Sequence, residues 1–589
     1  MVARSPNLAI AVSICLCLLS QFAGQAQSVS EDVVANGTET GHQGGRLSVS
    51  LRSEPKTLNP VTSVDVSSRE VIAQLTADLV HINRLTLQTE PALAKSWKVS
   101  PDGLRYTLRL RHGLRFSDGH PFDADDVVFS FRVYLDEDIH SPQRDLLVVG
   151  NKPIAVRKVD PYTVVFELSQ PYAAADRLFD SVAILPRHLL EESYKSGKLA
   201  RAWGLDTPPL QIAGLGPFRF KEYVAGQRIT LERNPYYWKV DRDDHRLPYL
   251  DQINFFFVPN ADAEVIRFKA GDSDVINRIS AEDYSNLEKD QSAQTFRLWD
   301  LGPSLEFNFL FFNLNTALPA QSSTLARKQT AWFRKVKFRQ AISLAIDREA
   351  ITHIVYRGRG TPLWSPVTPA NRLWMNTAIP HPERSLQGAR SLLQSEGFSW
   401  KQDGTLLDPT GVPVEFTIIT SASNAQRTKM ATLIQADLKD LGIQAEVVPM
   451  EFHSVLDRIF QTHDYEAAIL GLSGGDVDPN SDMNVWLSTG NDHVWDLGEP
   501  HPSTSWEAEI DQLMEKQLST RRPEERKAQY DRVQAILAEQ LPIICLASPN
   551  ILVGVKSDLG NFKPAVLDPH TLWNSPELFF DGQEGGRHP

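Results

Sequence analysis

Basic charge is scarce in this chain: 60 Lys and Arg stand against 73 Asp and Glu, a formal net charge of −13 at pH 7. Nucleic acid and anionic membrane both need a basic face, so both are disfavoured as partners. Cysteine is scarcer still. Of the three, Cys15 and Cys17 fall within the first 26 residues and only Cys545 lies beyond them. No disulfide framework is therefore open to a chain that has lost that segment. Cys545 sits in the apolar run Leu541-Pro-Ile-Ile-Cys-Leu546 and reads as a small core residue. A long hydrophobic run is missing as well. Leu8–Leu19 is an apolar stretch of 12 residues, short of the ~20 that span a bilayer. Arg4 precedes it and Gly24-Gln25-Ala26 follows, so residues 1–26 read as a cleaved export signal. Cys15 and Cys17 lack the small preceding residue of a lipoprotein box, which points to a soluble exported protein. HExxH, P-loop, CxxC and dinucleotide fingerprints are all absent, and no cofactor or metal is expected.

What is present is length and pattern. Removing the signal leaves 563 residues and a charge of −14. That is more chain than one core holds, so two or three lobes are expected. Residues 27–45 are polar and without periodicity, and read as a flexible leader. Leu47, Val49 and Leu51 begin a strand. Pro101-Asp102-Gly103 is a turn, and the alternation of Leu104, Tyr106, Leu108 and Leu110 predicts a half-buried strand after it. Asp123 is placed to cap a helix whose first turn carries Asp125 and Asp126, where carboxylates suit the positive end of the dipole. Val164, Phe166 and Leu168 alternate again. Ile253–Val258 is apolar on both faces, as in a central strand.

From Ala331 onward the rhythm changes. Val414–Ile419 reads as a strand. Met430, Leu433, Ile434, Leu438 and Leu441 form a helical stripe stopped by Gly442. Ile443, Ala445 and Val447 start another strand. Phe452, Val455, Ile459 and Phe460 make a second helix, and Tyr465–Leu470 a third strand. This succession predicts an α/β lobe. Ligands of such sheets sit beyond the carboxyl ends of the strands. The segment in that position is Gly471-Leu-Ser-Gly-Gly-Asp-Val-Asp-Pro-Asn480, a Gly-rich acidic loop expected to form a cleft wall. Pro523 opens a further helix, Leu541–Leu546 is a late strand, and 581–589 reads as a tail.

The stretch Glu90–Phe131 contains W-x-V-S-x-D-G and F-S-D-G-x-P-x-x-A-D-D-V-V-F-S. Glu54-Pro-Lys-Thr-Leu-Asn-Pro60, Gly214-Leu-Gly-Pro-Phe218 and Leu231-Glu-Arg-Asn-Pro-Tyr-Tyr-Trp238 add shorter matches. Together they closely resemble solute-binding family 5, the peptide- and nickel-type binding proteins of bacterial ABC importers, from about Leu47 to Phe580. The resemblance implies a two-lobed periplasmic-binding-protein fold of the large type II kind, with an extra domain on the first lobe. Its implied divisions are 46–78, 205–300 and 520–580 for lobe one, 79–204 for the extra domain and 301–519 for lobe two. It also implies a monomeric, non-enzymatic periplasmic protein. Such a protein takes a small, peptide-like solute in the inter-lobe cleft and delivers it to ABC permease and ATPase subunits.

Three readings of the acidic loop compete. Gly471-Leu-Ser473-Gly-Gly475 satisfies G-x-S-x-G, which would make a secreted serine hydrolase with Ser473 as nucleophile. The elbow must then open a helix, and Asp478-Pro479 argues against one. Asp476, Asp478, Asn480 and Asp482 alternate as in a calcium loop, but Ser481 and Leu487 stand where Gly and Glu belong. The third reading is a ligand-facing loop. Peptide-binding members of the family carry G-W-x-x-D here, with the Asp on the peptide ammonium. Ungapped transfer puts Leu472 at the Trp and Gly475 at the Asp, and Asp476 lies one position later. The departure keeps an oligosaccharide or a metal chelate open as the ligand. The candidate ligand-binding set is Ser473, Gly475, Asp476, Asp478, Arg372, Trp374 and Trp486. A Trp can stack on a sugar or an apolar side chain, and an Arg can fork onto a carboxylate.

Overall fold

The structure is a computed structural model that describes residues 32–581, apart from 36–38, 181, 291–294, 316–323 and 474–475. The expected export signal and nearly all of the expected tail lie outside the described residues.

Twelve strands form one hydrogen-bonded network that runs through both lobes. In spatial order its path is Phe218–Val224, Arg228–Arg233, Gln252–Phe257, Arg46–Leu51, Val275–Ile276, Ile543–Lys556, Glu306–Phe312, Ala467–Ser473, Glu415–Ser421 and Gln444–Met450. Phe296–Pro303 and Gly360–Pro362 also pair with Ile543–Lys556. Alternation in Arg46–Leu51 buries Leu47, Val49 and Leu51. Its parallel neighbour Gln252–Phe257 places Ile253 beside Leu47 and Phe255 beside Val49.

The extra domain is a four-stranded antiparallel sheet, Ala94–Val99, Arg105–Leu110, Thr163–Glu167 and Ala155–Asp160 in spatial order. The expected turn is there: Gly103 has φ +75° and Asp102 Oδ1 accepts from Leu104 N at 3.0 Å. The expected cap is a full capping box on Ala124–Leu135. Asp123 Oδ1 accepts from Asp125 N at 2.7 Å, and Asp126 Oδ2 accepts from Asp123 N at 3.0 Å. The G-x-G-P-F piece has a steric reason. A Cβ on Gly214 would lie 1.9 Å from Leu75 O, and one on Gly216 would lie 2.5 Å from Gln74 O. Only bare backbone fits against the end of the helix Val66–Leu75. First lobe and extra domain share one continuous apolar core.

The second lobe has its own core. Glu415–Ser421 pairs in parallel with both Gln444–Met450 and Ala467–Ser473, and Ala425–Asp440 and Phe452–Phe460 are the connecting helices. Met430, Ile434, Leu438 and Leu441 of the expected stripe are fully buried. Cys545 is buried there too, and burial pushes its thiol up to about 12.

Two expected boundaries fall elsewhere. The helices Ser505–Ser519 and Pro523–Gln540 pack in the second core through Ile510, Met514, Tyr530, Val533 and Leu537. We therefore place the return to the first lobe at Ser548–Asn550 rather than at 520. The expected leader is tied down from Asp32. Val34–Ala35 pairs with Lys239–Val240, and Asp32 accepts from Lys95 Nζ at 2.8 Å and His112 N at 3.0 Å. Polarity hid this because these residues hold on by backbone pairing and one carboxylate rather than by apolar area.

Candidate functional site

The crossing between lobes is short and hydrogen-bonded. Ile543–Lys556 pairs with Glu306–Phe312 at its start and with Phe296–Pro303 towards its end. Between them Ser304 N donates to Pro549 O at 2.9 Å, and Ser548 Oγ donates to Ser304 O at 3.1 Å. Gly302 at φ +77° supplies a bend beside it. Pro549 lacks an amide proton, and Gly360–Pro362 pairs alongside the crossing with Ala547, Ser548 and Pro549.

The lobes meet beside this crossing. Ile82 and Leu87 of the extra domain, Leu567 of the first lobe and Val477 of the acidic loop form one small apolar cluster, flanked by Leu305, Leu373 and Trp374. Next to it a bidentate ion pair spans the seam. Arg177 Nε donates to Asp476 Oδ2 at 2.7 Å and Arg177 Nη2 donates to Asp476 Oδ1. Arg177 comes from the 3₁₀ turn Ala175–Asp180 and also donates to Leu87 O at 3.3 Å.

Between the first lobe and the extra domain lies a cavity of about 660 Å³. It is walled by the end of Val66–Leu75, the hairpin around His81 and Arg84, the Trp238–Lys239 edge and the segment Lys563–Glu577. Both signs of charge line it: Asp78, Glu90 and Glu577, against Arg84, Arg111, Lys239 and Lys563. Only part of this charge is internally matched, with Lys563 Nζ donating to Glu577 at 3.1 Å. Burial, reinforced by Asp180, pushes the Asp78 carboxyl well above the usual range. Burial likewise raises Asp180, which accepts from Ile82 N at 2.9 Å. Burial lowers Lys239, opposed by Glu577 and Glu90. His81 is pushed down to about 3 by burial and by Lys239 and Arg84, so its ring is neutral. These half-buried charges face one cavity and favour a ligand that brings the counter-charge.

The candidates from the sequence divide. Asp476 reaches the seam, held by Arg177. Asp478 does not face it: the carboxylate accepts two bonds from Arg526, at 2.7 and 2.6 Å, with both side chains 7 % exposed. It also caps the turn Pro479–Asp482. Trp374 is half-buried at the seam edge, its ring 4.8 Å from the Arg526 guanidinium. Trp486 is a correction. It is 2 % exposed and lies against Trp495 in the second core, because the short helix Met483–Trp486 turns it inward. Arg372 is exposed. Gly475 lies outside the described residues. Ser473 ends the strand Ala467–Ser473, paired with Glu306, and the next helical turn among the described residues opens only at Pro479. The calcium reading loses its ligands to arginines, since Asp476 and Asp478 are both bidentate partners and Asn480 Oδ1 accepts from Gln517 at 2.8 Å. Arg177, Asp78, Asp180, His81, Arg84 and Lys239 went unread. The one available signal was charge set inside apolar stretches, as in Ala175-Asp-Arg-Leu-Phe-Asp180.

Residues 88–493 match the family described as bacterial extracellular solute-binding proteins, family 5 Middle. The chain belongs to that family. A probable ABC transporter-binding protein of Deinococcus radiodurans is 30 % identical over 444 residues, covering 71 % of this chain and 72 % of its own length. The oligopeptide-binding protein AppA of Bacillus subtilis is 27 % identical over 526 residues, covering 88 % and 89 %. The solved structure of AppA with a nonapeptide aligns with TM-score 0.67 and 26 % identity, over 92 % of this chain and 100 % of that one. CtaP of Listeria monocytogenes shares the fold at TM-score 0.74 and 24 % identity, over 92 % and 100 %. As a family 5 solute-binding protein the chain is an extracytoplasmic receptor, not an enzyme. It passes its solute to the permease and ATPase subunits of an ABC importer. The mixed α/β architecture matches the bilobed type II periplasmic-binding-protein fold of its structural relatives. No helix among the described residues is long and apolar enough to cross a membrane.

Proposed function

We propose that this solute-binding protein takes short, zwitterionic peptide-like solutes at the seam, with the charged cavity between the first lobe and the extra domain receiving one end of the ligand. The observation that carries the reading is the mixture of poorly matched carboxylates and cations around one cavity of about 660 Å³, a volume within the ~300–1,000 Å³ of small-molecule sites. Asp78 is the candidate acceptor for the ligand ammonium and Lys239 the candidate donor to its carboxylate. AppA of Bacillus subtilis and several other relatives are named for oligopeptides or dipeptides, which agrees with this chemistry.

An ammonium arriving beside Asp78 would stabilise the carboxylate and expel its proton. Calorimetric titration with dipeptides, tripeptides and a nonapeptide, repeated in buffers of different ionisation enthalpy, tests this. Saturable binding with proton release is expected. Loss of that release and weakening by about 10- to 100-fold are expected for Asp78→Asn. Blocking the peptide amino terminus should weaken binding as much. Binding of all peptides unchanged by Asp78→Asn and Lys239→Met would overturn the assignment. The neutral His81 ring at the cavity wall favours a second reading, a metal chelate. Binding of chelates but not peptides, lost in His81→Gln, would establish it instead.

A further inference from the structure

The second lobe holds a cluster of ionisable groups that the cleft does not use. His493, Glu499 and Glu507 each turn one ligand atom towards the others, all within 4.8 Å of one another. His493 is 0 % exposed, Glu507 3 % and Glu499 9 %. His493 Nδ1 lies 3.1 Å from Val485 O, so the proton on that nitrogen is donated to the carbonyl. In the neutral ring this leaves the Nε2 lone pair facing inward. That atom is buried and has no hydrogen-bond partner, and neither has Glu499 Oε2. Glu507 Oε1 stands 3.6 Å from His493 Nε2, beyond hydrogen-bond reach. A lone pair and a carboxylate oxygen, both unpartnered and directed at a second carboxylate, repel one another unless something positive lies between them.

The surroundings hold the three groups in place. Thr504 Oγ1 donates to Glu507 Oε2 at 2.7 Å, Ser503 Oγ donates to the same oxygen at 3.1 Å, and Trp495 Nε1 donates to Oε1 at 3.3 Å. The Trp495 ring lies 3.9 Å from the His493 ring. Asp496, 3 % exposed, lies beside the cluster in a hydrogen bond with Glu499, and Ser503 bridges it to Glu507. The cations within electrostatic range are Arg334, which is exposed, and Arg339. Arg339 is already bound to the carbonyls of Phe333, Gln540 and Leu541.

We infer that His493, Glu499 and Glu507 form a binding site for a divalent transition-metal cation of the Zn²⁺ or Mn²⁺ type, which staples the loop 488–504 to the helix Ser505–Ser519. One imidazole and two carboxylates are the donor set of such ions, whereas Ca²⁺ prefers oxygen alone. A histidine whose far nitrogen is fixed by a backbone carbonyl is the usual supporting arrangement of a metal ligand. Bonds of ~2.0–2.2 Å to a tetrahedral ion set ligand atoms about 3.4 Å apart, so a pair as much as 4.8 Å apart closes by about an ångström on binding. The site lies in the second core and stands apart from the solute reading above.

The test uses the full exported chain, stripped with chelator and dialysed, then titrated with ZnCl₂, MnCl₂ and CaCl₂. Stoichiometry is read by calorimetry and by elemental analysis after gel filtration. One equivalent of Zn²⁺ or Mn²⁺ per chain is expected, with a rise in melting temperature and a change in Trp495 fluorescence. Glu499→Gln preserves shape and removes one of the crowded charges, so it remains folded while affinity falls at least 100-fold. His493→Gln should do the same. Absence of stoichiometric binding to the wild-type chain would overturn the proposal, leaving an imidazole–carboxylate pair. So would binding that survives both substitutions. Peptide titrations run alongside are expected to be unchanged in Glu499→Gln, so failure of this site and failure of the solute reading are separable.

Discussion

Removing the ion pair across the seam should open the protein. Arg177 and Asp476 are 13 % and 27 % exposed and joined by two charge-assisted bonds. Bonds to charged groups contribute about 1.5–3 kcal/mol. The partial exposure of Asp476 places this pair near the lower end, about 1.5–2 kcal/mol. Asp476→Asn keeps the shape and removes the charge. The closed-to-open ratio should then fall by about 10- to 30-fold, while global stability changes less, because each lobe retains its own core. Small-angle scattering, or distance measurement between one label on each lobe, reads the ratio directly. Arg177→Met separates two roles for Asp476. If the pair acts as a latch, both substitutions loosen closure and weaken solute binding alike. If Asp476 accepts a ligand ammonium that must displace Arg177, then Arg177→Met strengthens binding while Asp476→Asn weakens it. Equal lobe separation in wild type and both variants would refute the latch outright.

Asp478→Ala should cost about 3–5 kcal/mol in urea unfolding, because it strands the buried Arg526 guanidinium; a loss under 1 kcal/mol would show that the pair is dispensable. Burial, with Asp478 and Asp476 nearby, raises Asp482 to about 7. A carboxyl that holds its proton more tightly when folded loses stability as pH rises from its unfolded value near 4 towards 7. Asp482→Asn should therefore unfold later than wild type at pH 8, by at most a few kcal/mol, with the advantage gone at pH 4; a constant difference across that range would exclude Asp482 as the titrating group. Cys545, buried and with its thiol raised to about 12, should be inert to thiol reagents in the native state and react only at the unfolding rate; labelling faster than unfolding would contradict that burial.

Legibility followed the range of the interactions. The extra domain was readable because its turn, alternation and cap are local: Asp102, Tyr106, Leu108 and Asp123 act within a few residues of themselves. The α/β succession in the second lobe was readable for the same reason. The late strand was seen only to Leu546, because Pro549 breaks the apolar run, yet the strand continues to Lys556 by pairing with Phe296–Pro303 far away in sequence. Trp486 was misplaced because an aromatic beside an acidic loop looks like a cleft residue; its inward turn depends on Trp495 and on Tyr530 and its neighbours in the second core. The cleft half supplied by the extra domain was invisible. Nothing near Arg177 in the chain announces that its partner lies 299 residues on.

The acidic loop illustrates why residue type alone underdetermines a binding site. Asp476 and Asp478 are separated only by Val477, yet they answer to arginines on different sides. Asp478 faces inward to Arg526 of its own lobe and sets the loop's shape. Asp476 faces outward to Arg177 of the extra domain, and Val477 between them enters the apolar cluster at the seam. The inner pair makes the outer one useful: a carboxylate can report lobe closure only if its loop keeps its shape when the lobes part. A buried pair costs desolvation and is retained where geometry matters more than net stability. On the solute reading proposed above, ligand discrimination would fall to the charges around the cavity, and the acidic loop would set how far a bound solute must shift the open–closed balance.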